Sequence, residues 1–328
     1  MGYDVVGVTM RLFDHAVADK AVADAKAVAS ALNIPHHVLD LQDAFAKRVM
    51  QPFAKTYLQG KTPSPCAVCN RYIKFGALVD YAKELGAVSM ATGHYVRRIE
   101  GANGPEILCG RDSRRDQSYF LFGVTAEQLA FAAFPLGDLE KAETRAIAAH
   151  FDLPVAQKSD SQDICFVPNG KYVDVVQTIS GAESQPGDIV DLTGQVVGRH
   201  DGVLRYTIGQ RRGLGVSAPE PLYVVRLEPA ANRVVVGPAS ALDGVSCRLS
   251  GVNWIGECDL DGRAVSVKLR SASPVADAVL HRCENGQVEV KLASPFTAIA
   301  PGQACVFYDG DRLLGGGWIL RPDEVTQT

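Results

Sequence analysis

Two cysteines separated by two residues, Cys66-Ala-Val-Cys69, follow Pro63 and Pro65 and directly precede a stretch from Asn70 with helical periodicity. At a helix start, backbone N–H groups and the positive end of the dipole favour a thiolate, so the placement predicts lowered thiol pKa values and a nucleophilic sulfur. Lys74, one turn further, adds positive charge. The pattern leaves a redox relay, half of a zinc site, part of an iron–sulfur ligand set and plain packing all open. A zinc site calls for a second close pair of ligands, and Cys247, Cys258 and Cys283 are scattered through the later half. With Cys109 and Cys305 they read as small apolar packing residues. Cys165 differs, because it ends a polar run from Lys158 to Phe166 at an apparent domain junction, where site walls form. Only the fold can bring it to Cys69.

Gly60-Lys61-Thr62 imitates the end of a phosphate loop, but Lys55 occupies the position of its first glycine, so Gly60 reads as a helix stop. Ala91-Thr-Gly-His-Tyr95 is better placed, beyond the carboxyl end of a strand expected at Val88–Ala91, where ligands of open α/β sheets lie. Gly93 permits close backbone approach there; His94 offers proton transfer or a structural hydrogen bond. Arginines cluster at 97–98, 111–115 and 205–212, the last with Tyr206 interleaved, a pattern that suits a phosphate backbone or a solvated face. Asp116 and Gln117 follow the second cluster and supply directed hydrogen bonds suited to RNA rather than duplex DNA.

The elements that must position these residues change character midway. Asp4–Thr9 reads as a strand, the segment from Asp14 with Val17, Ala21, Val28 and Leu32 as a helix ended by Asn33 and Pro35, and His36–Leu41 as a strand. Asp43–Leu58, Asn70–Leu85 and Lys141–His150 have helical periodicity. Such alternation predicts a parallel sheet covered by helices. Of the 31 glycines, 20 fall after residue 165, where Ile189–Val197, Tyr223–Leu227, Arg233–Val236, Val265–Leu269, Val288–Leu292 and Ala304–Tyr308 read as short strands of one or two small β domains. A length of 328 residues with 47% hydrophobic and 21% charged side chains excludes global disorder. No apolar run reaches the roughly 18 to 20 residues of a membrane span. The expected compartment is the cytoplasm, because the N-terminus lacks a secretory pattern and eight cysteines in a chain this long suit a reducing environment. A net charge of −4 leaves any nucleic acid to be held by local basic clusters.

Taken together, Thr62–Asn70 with Ile73-Lys-Phe75, Ala91–Tyr95, Asp116–Phe120, Asp160–Phe166, Tyr206–Leu214, Pro301-Gly-Gln303 and Leu314–Gly317 resemble the tRNA-specific 2-thiouridylases, in order and over nearly the whole chain. The resemblance implies an α/β fold class: a parallel-sheet ATP-pyrophosphatase domain (adenine nucleotide alpha hydrolase-like) over 1–165, a small central mostly-β domain over 166–245, and a C-terminal β-barrel over 246–328. It implies a tRNA-uridine 2-sulfurtransferase that uses ATP and Mg2+ to adenylate the C2 oxygen of the wobble uridine. Persulfide sulfur, supplied by a sulfur-relay protein or cysteine desulfurase, then displaces AMP. On this resemblance Cys165 carries the persulfide and Cys69 is the nucleophilic thiol that releases the sulfur, through a transient Cys69–Cys165 disulfide. Met10 and Gly93 line the adenosine pocket; Ser64, Pro65, Cys66 and His94 surround the base; Arg115, Asp116, Gln117, Arg270, Ser271 and Gln303 touch tRNA.

Two departures from the family pattern carry expectations of their own. The chain begins after the Ser-Gly-Gly-Val-Asp-Ser loop that holds the ATP phosphates, which predicts poor adenylation, incomplete cover of the N-terminal domain and instability or association. Cys66 stands where many members have Asp, so Cys66, Cys69 and Cys165 are also candidate ligands of a [4Fe-4S] cluster carrying the sulfur. The alternatives are a non-catalytic tRNA-binding protein derived from this family, and a general thiol oxidoreductase, which leaves the Tyr206 and Gln303 motifs unexplained.

Overall fold

The computed structural model describes residues 2–14, 16–158, 163–167, 170–256 and 259–325. The chain forms two compact units, Met1–Met50 with Cys66–Gly170, and Gln51–Pro65 with Lys171–Thr328.

In the first unit, strands Gly7–Arg11 and His36–Asp40 pair in parallel, from Gly7↔His36 to Arg11↔Asp40. Parallel neighbours need a crossover, which helix Ala16–Ala31 supplies. Asn33 closes that helix in the left-handed conformation, φ 52°, which Asn tolerates better than most residues. A second parallel pair joins Met90–Ala91 to Ala132–Ala133, and an antiparallel hairpin joins Val96–Gly101 to Gly104–Cys109. One helical run starts with Pro65–Cys69, widens to a π-helix over Asn70–Ala77 and returns to α over Leu78–Glu84. Leu78 N–H bonding the Ile73 carbonyl is the i→i−5 signature of that wider turn, which favours functional sites in helices. Its inward face buries Ile73 and Phe75 almost completely.

In the second unit, helix Gln51–Leu58 packs on Tyr172–Ser180, with the Tyr57 and Tyr172 rings stacked at 4.5 Å. A four-stranded sheet runs in the order Val196–His200, Gly187–Val190, Arg233–Gly237, Tyr223–Glu228, around Ile189, Val224, Val234 and Val236. Six antiparallel strands then close a barrel: Asp243–Trp254, Val288–Thr297, Ala276–Arg282, Ala264–Lys268, Ala304–Asp309 and Arg312–Ile319, the last pairing back to the first at Leu249↔Ile319. Closure removes the free edges. Leu249, Val267, Leu280, Val290, Cys305 and Phe307 fill its fully buried interior.

The differences from the sequence expectations have local causes. The strand expected at Val88–Ala91 shrinks to Met90–Ala91, because the chain turns out of the preceding helix through Gly86 at φ 77°, leaving Val88 95% exposed. The helix expected over Asp43–Leu58 is interrupted by a π-turn at Ala46–Met50, which apolar periodicity does not distinguish from an α-turn. The hairpin through Arg97 and Arg98 went unread because its arginines looked like a charge cluster. Ile189–Val197 divides into two strands around a turn held by Asp191, whose carboxylate accepts the Thr193 and Gln195 N–H groups. Helix Tyr172–Ser180 adds an α element to the expected mostly-β central region.

Candidate active site

Cys66 lies in the first turn of the helical run and is exposed, whereas Cys69, three residues on, faces inward at 8% exposure. Cys165, on the segment before Phe166, is exposed. The three thiols sit close enough to sense one another's charge: Cys66 and Cys165 both act on Cys69, and Cys66 acts on Cys165. The Lys74 charge acts on all three. Burial dominates each of them. It pushes Cys69 up to about 12 and raises Cys66 and Cys165 as well, with Lys74 opposing the rise in every case. Cys66 and Cys165 nonetheless remain exposed to solvent.

This overturns the expectation of depressed thiol pKa values at the helix start. Cys69 is not at a helix end at all, since the run continues directly from Cys69 into Asn70 and its N–H groups are taken up within the helix. The described cysteines are all free thiols, Cys69 and Cys165 included. Among the described residues no group of three or more His, Cys, Asp or Glu side chains is placed to hold a metal ion.

Behind the thiols, His94 is held from three directions and is 7% exposed. Asn70 donates from Nδ2 to the Phe120 carbonyl at 2.9 Å, which turns its Oδ1 to His94 Nε2 at 3.2 Å. Nε2 therefore carries the proton, and Nδ1 accepts from the Thr92 hydroxyl, whose oxygen accepts the His94 N–H at 3.3 Å. Lys74 Nζ lies 3.4 Å from the same Nε2. On this tautomer Lys74 finds no acceptor on the ring and acts on it as a charge. Burial, reinforced by Lys74, lowers the imidazole to about 3, so His94 is neutral at physiological pH. Asn70 and Thr92 were not singled out in the sequence, although both lie inside motifs that were.

The remaining site candidates lie on several elements. Met10 sits half-buried in its strand, and Gly93 follows the separate Met90–Ala91 strand and is exposed. Asp116 is engaged locally, accepting from Gly110 N–H and Ser118 N–H at 3.1 Å each and from the Ser118 hydroxyl at 2.8 Å. Gln117 accepts the Tyr95 N–H at 3.0 Å, and Arg115 N–H closes a turn on the Asp112 carbonyl. Arg97 and Arg98 donate to the Cys109 and Leu129 carbonyls, and Arg111 pairs with Glu140 and Glu143, so these clusters are partly engaged within the fold. In the second unit, Ser64 and Pro65 are buried, Arg270 and Ser271 are exposed, and Gln303 is half-buried. Residues 160–162 of the Asp160–Phe166 motif, and Cys258, lie outside the described residues. No helix among the described residues is long and apolar enough to cross a membrane.

Three family models match in chain order: the tRNA methyl transferase HUP domain over residues 1–169, the tRNA methyl transferase PRC-barrel domain over 174–238, and the aminomethyltransferase beta-barrel domain over 245–319. The tRNA-specific 2-thiouridylase MnmA of Paramagnetospirillum magneticum is 52% identical over 339 residues, covering 99% of this chain and 91% of its own length. The proteins of the same name from Rhodospirillum centenum and Rickettsia bellii are 50% and 49% identical, covering 98% of this chain in each case and 86% and 90% of their own lengths.

Proposed function

Since the chain belongs to the tRNA-specific 2-thiouridylase family, we propose that it is a tRNA-uridine 2-sulfurtransferase acting at the wobble uridine. The observation that carries the reading is that Cys66, Cys69 and Cys165 lie near enough for charge on one to act on another and for the Lys74 charge to act on all three. The matching HUP and PRC-barrel models bear methyl transferase in their descriptions. Sulfur transfer between cysteines requires thiols that can reach one another, and Cys66, Cys69 and Cys165 share one neighbourhood.

In the proposed sequence, the uracil O2 attacks the α-phosphate of ATP and pyrophosphate leaves, so that a poor leaving oxygen becomes AMP. The terminal sulfur of a Cys165 persulfide attacks C2, and AMP departs with the C2–O bond. The Cys69 thiolate then attacks the Cys165 sulfur. The S–S bond to the base breaks, its electron pair returns to the sulfur on C2, and a Cys69–Cys165 disulfide remains for a thiol reductant to open. Each attack needs a thiolate or persulfide anion in a site where burial disfavours charge, and Lys74 supplies the compensating cation. Mg2+ would offset the charge developing on the ATP phosphates, and no step is assigned to an iron–sulfur cluster.

Met10 and Gly93 are proposed to flank the adenosine, and Ser64, Pro65, Cys66 and His94 the target base. His94 contributes there as a neutral hydrogen-bonding group. Arg115, Asp116, Gln117, Arg270 and Ser271 are proposed to face the tRNA, and a persulfide-donating protein to load Cys165 in the cytoplasm. The domain division at 165/166 and 245/246 belongs to the same reading.

Single-turnover reaction of persulfide-loaded protein with ATP and unmodified tRNA, followed by mass spectrometry of the nucleosides and of the alkylated protein, tests it. One 2-thiouridine and one Cys69–Cys165 disulfide per turnover are expected. Tight tRNA binding with neither product would establish the binding-only alternative.

A further inference from the structure

The loop that leads into the thiol-bearing helix is fastened to the barrel. Gln303 donates from Nε2 to both the Thr62 and the Pro63 carbonyls, at 3.1 Å each. Two carbonyl partners fix which end of this amide faces the loop. The Thr62 N–H bonds the Pro301 carbonyl at 2.8 Å. Gly302, at φ 87°, lets the two loops come this close, because a Cβ there would sit 2.9 Å from both Lys61 Cβ and the Thr62 carbonyl oxygen. Lys61 pairs with Glu324, and Arg321 donates to the Gln59 carbonyl at 2.9 Å. Ser64 follows, 7% exposed, and Pro65 opens the helix that carries Cys66 and Cys69.

We propose that Gln303 is a positioning residue, a latch that holds Thr62-Pro63 to the barrel and thereby fixes the Ser64-Pro65 wall beside the target base. Its kinetic consequence rests on the thiolation reading above; the latch itself does not. Both amide donors are committed to the loop, which leaves Oε1 as the only open polar atom of the side chain. A latch depends on the donors and an RNA contact depends on the acceptor, so the two roles respond oppositely to substitution.

Gln303→Lys keeps donors and loses the acceptor, Gln303→Glu keeps an acceptor and loses the donors, and Gln303→Met loses both. Three readouts on the full chain separate the roles: hydrogen exchange of the Thr62 amide, the equilibrium Kd for unmodified tRNA, and the single-turnover rate of thiolation. Removing the donors is expected to speed Thr62 exchange about tenfold in the Glu and Met variants, with Gln303→Lys within about threefold of the parent. The thiolation rate is expected to fall about tenfold in the same two variants, while Kd stays within about twofold. Unchanged exchange in the Glu and Met variants overturns the latch. Faster exchange accompanied by a weakened Kd and an unaltered rate overturns its role in catalysis. A normal Glu variant beside a defective Lys variant establishes the RNA contact instead. If no variant nor the parent forms 2-thiouridine, the thiolation reading has failed, and the exchange measurement still decides the latch.

Discussion

Lys74 Nζ stands 3.4 Å from His94 Nε2, and the same ammonium opposes the desolvation of Cys66, Cys69 and Cys165. One cation thus does two things of opposite sign to its neighbours' protons: it keeps the imidazole neutral and makes the thiols easier to ionise. Lys74→Met is expected to slow alkylation of the exposed Cys66 and Cys165 by iodoacetamide about threefold to tenfold at pH 8. The difference should vanish at a pH where all these thiols are ionised. Equal rates for parent and variant at pH 8 would remove Lys74 from the mechanism.

The cysteines divide by position as well as by charge. Cys165→Ser is expected to abolish 2-thiouridine formation, with a loss of at least about 10³-fold, since oxygen cannot hold the transferable sulfur. Cys247 lies half-buried on a barrel strand, in contact with the fully buried Cys305. Cys247→Ser is expected to cost about 1 kcal/mol of stability and to leave the thiolation rate within about twofold. Nucleoside analysis by mass spectrometry compares the two, and a silent Cys165→Ser would refute the assigned persulfide.

The buried titratable groups define a stability plateau. Burial takes His94 from 6.5 to about 3, so its contribution to stability is complete above pH 6.5 and is lost as pH falls towards 3. Burial takes Cys69 from 9.0 to about 12, so its contribution is complete below pH 9.0 and is lost as pH rises towards 12. Melting temperatures measured across pH should therefore decline on both sides of a plateau from about 6.5 to 9.0. His94→Gln should flatten the acid limb and leave the alkaline limb in place. An acid limb of unchanged slope in that variant would assign the acid sensitivity to other groups.

Much of the architecture was legible because periodicity and turn residues act locally. The strand–helix–strand start, the glycine-rich β half and the helix after Asn70 all follow from neighbours within a few residues, whereas the start of that helix at Pro65, which takes in Cys66 and Cys69, was not read. The thiol chemistry was misjudged for the opposite reason. The dipole argument for Cys69 used its sequence neighbours, but its ionisation is governed by burial among residues far along the chain. Asp116 and Gln117 likewise make hydrogen bonds that their sequence neighbours did not reveal, onto the Ser118 and Tyr95 N–H groups. Asn70 could not be recognised as the group that orients His94 until the Phe120 carbonyl was seen to fix its amide.

Barrel closure provides the last test, because two glycines there separate backbone strain from lack of space. Gly315, at φ 143°, pairs with Trp254 across the closing seam, and a Cβ on it would lie 3.0 Å from Trp254 Cα and inside the contact distance of the Asn253 carbonyl. Gly262, at φ 72°, occupies a turn with nothing within 4 Å of the same hypothetical atom. Gly262→Ala should cost only the left-handed conformation, about 1 kcal/mol. Gly315→Ala must in addition push two backbones apart where both are hydrogen-bonded, for a loss of about 2 to 4 kcal/mol. Urea unfolding followed by the fluorescence of Trp254 and Trp318 should show the Gly315→Ala midpoint displaced at least about twice as far as that of Gly262→Ala. Equal displacements would mean that the seam yields freely and that close approach at Asn253 does not hold the barrel shut.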